Sequence, residues 1–207
     1  ALLARIAASD HRDDFVLKGG VLLAAFALRR PTKDIDLQAT GLANDADGVA
    51  ERFRAIASVD MADGVVFDVE SVAATAIRDE DEYAGVRVRL VAHLGRSRVT
   101  IGIDVNFGDP IWPAPTIVEV PRLLQLGQGD IRLLGYPLTM VLAEKIITML
   151  DRGEANTRWR DFADVYTLTC SRGVDGSELR ASCEIVARYR GVELRPLLPA
   201  LAGMPTF

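Results

Sequence analysis

The chain has 207 residues, and its 24 basic and 29 acidic side chains leave a formal charge of -5. A hydrophobic fraction of 49% supports a packed core and excludes disorder as the main state. The longest apolar run, residues 21–28, is far short of the roughly 20 residues that a membrane-spanning helix needs. We therefore expect a cytoplasmic protein without membrane contact, and the mild acidity argues at first against a nucleic-acid partner. With 2 Cys and 2 His, neither a disulfide framework nor a His-rich metal centre is expected.

The first half of the chain has the pattern of an α/β (α+β) domain. Residues 1–9 have the pattern of a helix end, and a strand over 15–17 leads through a Gly-Gly turn into a buried helix over 21–28. Pro31 cannot continue that helix, so a second strand is predicted over 33–39 and a further helix over 45–59. From residue 65 the apolar period becomes two, which predicts strands over 65–69, 86–94, 99–107 and 116–120, the middle two joined by a hairpin turn at 95–97.

The character of the sequence changes after Pro137. Helices are predicted over 138–151, 158–171, 177–190 and 192–201, and glycines stand between them. We therefore divide the chain into a mixed-sheet core over residues 1–136 and a C-terminal helical bundle over residues 137–207, packed on that core.

Carboxylates on two predicted strands indicate a metal site. Asp34 and Asp36 stand at i and i+2 and so share one face of a strand, about 7 Å apart along the chain. In residues 99–107 every second residue is apolar, which puts Asp104 on the polar face, close to Gly102. If these strands are neighbours, three carboxylates converge, and such an all-oxygen set suits Mg²⁺ and displacement at phosphorus. The alternative is that Asp34 and Asp36 are solvated aspartates on an exposed strand face.

The Gly19-Gly20 pair lies at the predicted strand-to-helix turn, 14 residues before the first of these aspartates. Backbone N–H groups at a helix N-terminus favour phosphate, so a phosphate site and a metal site would face one pocket. A Gly-Gly pair on its own is more often only a turn, and that alternative stays open.

Further candidates lie in the helical half. Lys145 falls on an otherwise apolar stripe of its helix, so it either extends to the rim or reaches into a pocket where phosphate is its counter-charge. Asp161 and Asp164 are neighbours on one helix face, which is also a common surface arrangement. Arg158 and Arg160 beside them are equally suited to be structural ion-pair partners.

The predicted hairpin is rich in arginine and has no acid between residues 83 and 100. Its arginines are Arg87, Arg89, Arg96 and Arg98. Such a cluster beside an active site would guide the phosphate backbone of an RNA. The alternative, with equal weight, is the solvated rim of a hairpin.

Taken together, these motifs resemble the nucleotidyltransferases that have a DNA polymerase β-type fold. More narrowly, they resemble the AbiEii/AbiGii abortive-infection toxin family, whose mycobacterial members are called MenT toxins. The matching stretches run from about residue 15 to residue 170: Lys18-Gly19-Gly20, Arg30 to Leu37, Ile103 to Asp109, Pro137, Glu144-Lys145 and Arg158-x-Arg160-Asp161-x-x-Asp164. Gly20 departs from the wider superfamily, in which many members carry a Ser with a phosphate-binding hydroxyl.

The resemblance implies a polymerase β-like nucleotidyltransferase core and a role for each matching residue. Asp34, Asp36 and Asp104 would hold Mg²⁺, expected as two ions, and Asp104 would also assist deprotonation of the acceptor hydroxyl. The residues implied to bind or shape the nucleotide site are Lys18, Gly19, Gly20, Arg30, Thr32, Lys145, Asp161 and Asp164, of which Lys145 would also be catalytic.

The resemblance also implies transfer of a nucleoside monophosphate from an NTP to a hydroxyl, with release of pyrophosphate. The expected acceptor is the 3′ end of tRNA, which would block aminoacylation and make the protein a toxin with a cognate antitoxin; a monomer is assumed. Alternatives are transfer to a protein or small-molecule (antibiotic) hydroxyl, or a nucleotide-binding module without turnover. The presence of all three aspartates counts against the last. Two bound Mg²⁺ ions would add 4 to the charge of -5 and leave about -1, so we expect weak, local RNA binding.

Overall fold

The computed structural model describes residues 1–28, 31–78, 84–123 and 129–203. The chain divides into two compact units. The sheet unit comprises Ala1–Gly108 and Thr116–Gly135, and the helical unit comprises Asp109–Pro115 and Tyr136–Phe207. Each unit buries apolar side chains of its own, such as Phe15 in the sheet unit and Leu142 in the helical unit.

A mixed sheet forms the body of the sheet unit. Its strands are β1 (Phe15–Lys18), β2 (Asp34–Ala39), β3 (Val65–Arg78), β4 (Ala84–Leu94), β5 (Ser97–Asn106), β6 (Thr116–Val120) and β7 (Ile131–Gly135). They lie in the order β3-β4-β5-β2-β1-β7-β6. The pairs β2–β5 and β1–β7 are parallel, and the other neighbours are antiparallel. The mixed α/β class expected from the sequence is confirmed.

Two strands differ from the sequence prediction because apolar and polar residues do not alternate regularly in their sequences. β3 continues to Arg78, well beyond the predicted end at residue 69, because its register shifts between Asp68 and Ala73. Such an irregularity interrupts the period of two on which the prediction depended. β7 was not predicted, since its sequence Ile-Arg-Leu-Leu-Gly places two leucines in succession.

Among its described residues, the sheet unit has three helices: α1 (Leu2–Ala8), α2 (Gly19–Leu22), which a 3₁₀ turn over Leu23–Phe26 continues, and α3 (Ala46–Ala57). α3 begins where the Asp45 side chain accepts hydrogen bonds from the N–H groups of Asp47 and Gly48. Its apolar face packs on the sheet, where the ring centroids of Phe53 and Phe15 are 5.2 Å apart.

A buried ion pair ties α1 to the loop before β3. The Arg5 guanidinium donates to Asp63 at 2.7 and 3.1 Å, and to the carbonyl oxygens of Val59 and Val65 at 3.0 and 2.8 Å. Its carbon also lies 4.7 Å from the centroid of the Phe67 ring. The hydrogen bonds from Arg5 hold the pKa of Asp63 below its usual value, despite an opposing effect of burial.

The helical unit contains α4 (Leu138–Arg152), α5 (Trp159–Ser171), α6 (Gly176–Arg190) and α7 (Leu197–Ala200). α6 begins at Asp175, whose side chain accepts from the Glu178 N–H, and ends at Gly191 with a φ of 67°. α7 is shorter than the predicted helix over 192–201, because a residue before a proline disfavours the helical conformation and Pro196 stands inside that range. None of the helices within the described residues is long and apolar enough to cross a membrane.

Candidate functional site

A row of charged residues crosses neighbouring strands of the sheet. The register pairs Lys18 of β1 with Asp36 of β2, Asp36 with Asp104 of β5, and Asp104 with Arg87 of β4. Directly paired residues point to the same face of a sheet, so this charged row runs cation, carboxylate, carboxylate, cation. Like charges directly opposite each other repel, and here each carboxylate also has a cation directly opposite it on the next strand.

The adjacent row on the same face comprises Asp34 of β2, Gly102 of β5 and Arg89 of β4. A Cβ on Gly102 would approach Asp34 Oδ1 to 2.7 Å, so the Asp34 carboxylate leans over β5 into the space that the glycine leaves. All three candidate acids therefore stand on one face of two neighbouring strands, as their joint action requires.

The Asp36 carboxylate leans the opposite way, over the turn between β1 and α2. A Cβ on Gly19 would overlap with this carboxylate, and Gly19 has a φ of +64°. Both the space and the left-handed backbone therefore require glycine at this position.

The environment of Asp36 opposes its negative charge. Burial raises the pKa of Asp36, and the neighbouring carboxylates of Asp104 and Asp34 raise it further. Lys18 and a hydrogen bond from the Gly20 N–H act in the opposite direction without outweighing them. A further cation on this face would therefore stabilise the ionised form of Asp36.

Gly20 is close to Thr32. A Cβ on Gly20 would come within 2.8 Å of Thr32 Oγ1, so the threonine fills the space that a side chain at position 20 would need. The Thr32 hydroxyl donates to the backbone oxygen of Asp34 at 3.3 Å. Since the Gly20 N–H bonds to Asp36, phosphate binding at the glycine pair stays a prediction. Arg30, predicted to shape this loop, lies outside the described residues.

Arg87 holds both oxygens of Asp104. Its Nε donates to Oδ1 at 2.7 Å and its Nη2 donates to Oδ2 at 2.6 Å. These bonds and the charge of Asp104 raise the pKa of Arg87, with smaller contributions from Asp34 and Asp36. Arg87 belongs to the RNA surface predicted from the sequence, whereas the structure places it against a candidate metal ligand.

This contact was accessible to sequence reasoning. With Leu94 opposite Ser97 at the hairpin turn, counting back along both strands puts Arg87 opposite Asp104. The hairpin turn predicted over residues 95–97 is the information that this count needs. The remaining arginines of the proposed RNA surface, Arg89, Arg96 and Arg98, are exposed, and their role stays a prediction.

The three acids fit a hard divalent cation by chemistry and by register. They offer only oxygen ligands, Asp36 and Asp104 are direct neighbours, and the Arg87 guanidinium shows that a cation is stable against Asp104. The carboxylates as placed nevertheless turn apart. Over the part of the chain that the structure describes, no three His, Cys, Asp or Glu residues lie close enough together to hold an ion. The Mg²⁺ site therefore stays a prediction that requires these side chains to turn.

The predicted residues of the helical unit form a cluster of their own. Lys145 of α4 donates to Asp161 Oδ1 at 2.6 Å and to Asp164 Oδ2 at 2.8 Å, both on α5. The Lys145, Asp161 and Asp164 side chains are 14%, 7% and 4% exposed. Arg158 Nε lies 3.0 Å from Asp161 Oδ2, which is the ion-pair role considered for it. The Lys145 ammonium is thus enclosed with two aspartates as partners, and its nucleotide-binding role stays a prediction.

The fold is that of nucleotidyltransferases. JHP933 from Helicobacter pylori matches 82% of this chain with 62% of its own, at a TM-score of 0.52 and 16% identity. MenT4, a nucleotidyltransferase toxin from Mycobacterium tuberculosis, aligns over 95% of this chain and 65% of its own, with a TM-score of 0.59 and 20% identity. An antigenic nucleotidyltransferase-like protein from Paracoccidioides brasiliensis aligns over 98% of this chain and 93% of its own, with a TM-score of 0.50 and 15% identity. The chain thus spans 62% and 65% of the first two proteins, and these identities show a common fold alone.

The family follows from the sequence. Residues 1–204 match the family described as nucleotidyl transferase AbiEii toxin, type IV TA system. The chain therefore belongs to the AbiEii family of nucleotidyl transferase toxins, as its motifs predicted. No curated protein matches it significantly.

Proposed function

We propose that this protein transfers a nucleoside monophosphate from an NTP to the 3′ end of tRNA in a Mg²⁺-dependent reaction. The acceptor hydroxyl oxygen bonds to the α-phosphorus while the bond to the oxygen that bridges to the β-phosphate breaks. The hydroxyl proton passes to a base, and pyrophosphate leaves. Membership of the AbiEii family supports nucleotidyl transfer and a toxin role.

The observation that carries this proposal is the charged row of Lys18, Asp36, Asp104 and Arg87. Two carboxylates stand side by side on the sheet face, with a third acid, Asp34, on the next row. Burial and the neighbouring carboxylates raise the pKa of Asp36, and a cation between the acids would offset this effect.

Each residue of the row has a distinct task in the proposed reaction. Asp34, Asp36 and Asp104 would hold Mg²⁺, which when bound offsets charge on the phosphates and favours the ionised acceptor hydroxyl. Asp104 is the base that would accept the hydroxyl proton. Lys18 lowers the pKa of Asp36 and so offsets part of the effect of its burial.

Separate features support tRNA as the acceptor and an antitoxin as the protein partner. Arg89, Arg96 and Arg98 are exposed, and residues 83–100 contain no acid, which supports contact with a phosphate backbone. The family description as a toxin–antitoxin system supports a cognate antitoxin that prevents the growth arrest.

The test is transfer of label from each of the four α-labelled NTPs, separately, to total tRNA in the presence of Mg²⁺. We expect one or more NTPs to label RNA, and Asp36→Asn to reduce the rate at least about 1,000-fold, as loss of a central catalytic group does. Asp68→Asn is the matched control, because Asp68 is an exposed acid on β3 of the same sheet, and it should label RNA at the wild-type rate.

Two results would contradict the proposal in different ways. Label that resists ribonuclease and migrates with a protein or small molecule would show that the acceptor is wrong. Absence of label with all four NTPs, from a folded protein, would show that the transfer itself is wrong.

A further inference from the structure

The Arg87–Asp104 pair uses the atoms that the proposed metal site needs. Arg87 Nε and Nη2 take one oxygen each of the Asp104 carboxylate, at 2.7 and 2.6 Å. A hard divalent cation binds the same carboxylate oxygens, and an arginine in a protein stays charged at all accessible pH values. The guanidinium and a divalent cation therefore cannot both make their best contacts with Asp104.

The position of Arg87 sharpens this conflict. Arg87 is directly opposite Asp104 in the register, and the charges of Asp34 and Asp36 also act on it. Arg87 thus stands at the β4 end of the charged row, directly against Asp104 and close enough to interact with the charges of Asp34 and Asp36. Any cation that approaches Asp104 meets both a competitor for the oxygens and a like charge.

The pair is also exposed enough to exchange. The Arg87 side chain is 45% exposed and that of Asp104 is 18% exposed. When Arg87 leaves this contact, its guanidinium moves into water, which costs little free energy. In an ion pair with both partners enclosed, removing the cation would leave its buried partner unpaired, which is costly.

We propose that Arg87 is a resident counter-ion of Asp104 that a divalent cation must displace. Arg87 thereby sets the concentration of divalent cation at which the site becomes occupied. The inference rests on the metal site of the proposed function. Arg87 acts here as a positioning residue: it holds Asp104 in the absence of metal and weakens metal affinity through direct competition.

The experiment measures binding of Mn²⁺ to the protein without nucleotide, by calorimetry and by the electron paramagnetic resonance signal of free Mn²⁺. Arg87→Gln should bind Mn²⁺ about tenfold more tightly than wild type, equivalent to about 1.4 kcal/mol. Arg87→Lys keeps the charge but loses the two-point contact, so its affinity should lie between the two.

Arg89→Gln is the matched control. Arg89 lies two residues along β4 on the same face, and its pairing partner on β5 is Gly102 rather than an acid. The Arg89→Gln substitution removes the same charge as Arg87→Gln but no bond to Asp104. Because exposed charges are screened, it should change Mn²⁺ affinity less than about twofold.

A double-mutant cycle with Asp104→Asn isolates the contact itself. In the Asp104→Asn background, replacing Arg87 should change Mn²⁺ affinity no more than replacing Arg89 does. Equal Mn²⁺ affinity in wild type and Arg87→Gln would overturn the competition while leaving the metal site intact. Failure of Mn²⁺ to bind to any folded variant would overturn the metal site of the proposed function and this inference together.

Discussion

The sheet unit and the helical unit each contain a group of carboxylates, and the two groups differ in how their charge is balanced. In the helical unit, Lys145 donates to both Asp161 and Asp164, and all three side chains are nearly enclosed. In the sheet unit, Asp36 and Asp104 are adjacent, and burial raises the pKa of Asp36.

The difference follows from access to solvent at one end of the charged row, where the Arg87 and Asp104 side chains are 45% and 18% exposed, although Lys18 at the other end is buried. Enclosed charges must be balanced by the protein itself, because an unpaired buried charge is strongly destabilising. Charges that solvent can reach can instead be balanced by an ion or ligand from solution. We therefore expect changes in the helical cluster to act first on stability, and changes in the charged row to act first on binding and catalysis.

The largest effect on stability is expected from Lys145→Met. It leaves Asp161 and Asp164 enclosed without the ammonium to which both are bonded, at a cost of about 4 kcal/mol in the free energy of unfolding. Urea unfolding followed by circular dichroism measures this loss.

The triple variant Lys145→Met, Asp161→Asn, Asp164→Asn removes the charges together and should recover most of the loss. Arg180→Met in α6 is the matched control, because the side chains of Arg180 and its partner Glu184 are 81% and 44% exposed. This substitution should change the free energy of unfolding by under about 0.5 kcal/mol. If Lys145→Met were as mild as this control, enclosure would not be what distinguishes the two clusters.

Asp63→Asn tests whether burial or the choice of unit is decisive, because the Arg5–Asp63 pair is buried in the sheet unit, with side chains 3% and 9% exposed. We expect a loss of about 3 kcal/mol at neutral pH. Arg5 holds the pKa of Asp63 below its usual value, so this stabilisation is complete above the unfolded pKa of about 3.9.

The stabilisation is then lost as the pH falls through the lower pKa of the folded state. The unfolding free energies of wild type and Asp63→Asn should therefore differ by a constant amount near neutrality and converge in acid. A difference that stayed constant down to pH 2 would show that the carboxylate charge is not what stabilises this contact.

The smallest effect on stability is expected from Arg87→Gln. The bonds to Asp104 are short, but the Arg87 side chain is 45% exposed, so solvent screening limits the loss to under about 1 kcal/mol. Thermal unfolding in the presence of a chelator measures it. A loss as large as that of Lys145→Met would mean that this pair is structural, and the contrast between the clusters would fail.

Side-chain alternation placed Asp34, Asp36 and Asp104 on one face, as the register does, although Val99 on the apolar side of β5 is 57% exposed. Alternation does not give the order of strands, so the place of Asp36 between Lys18 and Asp104 had no signal in the sequence. The antiparallel pairing of β1 with β2 depends on how the intervening helix returns the chain, which is a property of packing.

The helical cluster shows a different limit of sequence reasoning. The 3.6-residue period placed Lys145 on an apolar stripe and Asp161 beside Asp164, and both statements agree with the contacts. The period of one helix carries no information about which neighbouring helix faces it. The sequence therefore predicts phosphate as the counter-charge of Lys145, whereas in the structure the two aspartates of α5 are its partners.

The parallel pairing of β2 with β5 also decides when the site is assembled during synthesis of the chain. Asp36 and Asp104 are neighbours in space but 68 positions apart in sequence (104 minus 36). Contacts between distant segments form late, because the intervening chain must first be ordered. A chain of which only β2 has left the ribosome therefore has part of the charged row, and we expect the row to be complete only after β5 has emerged and paired.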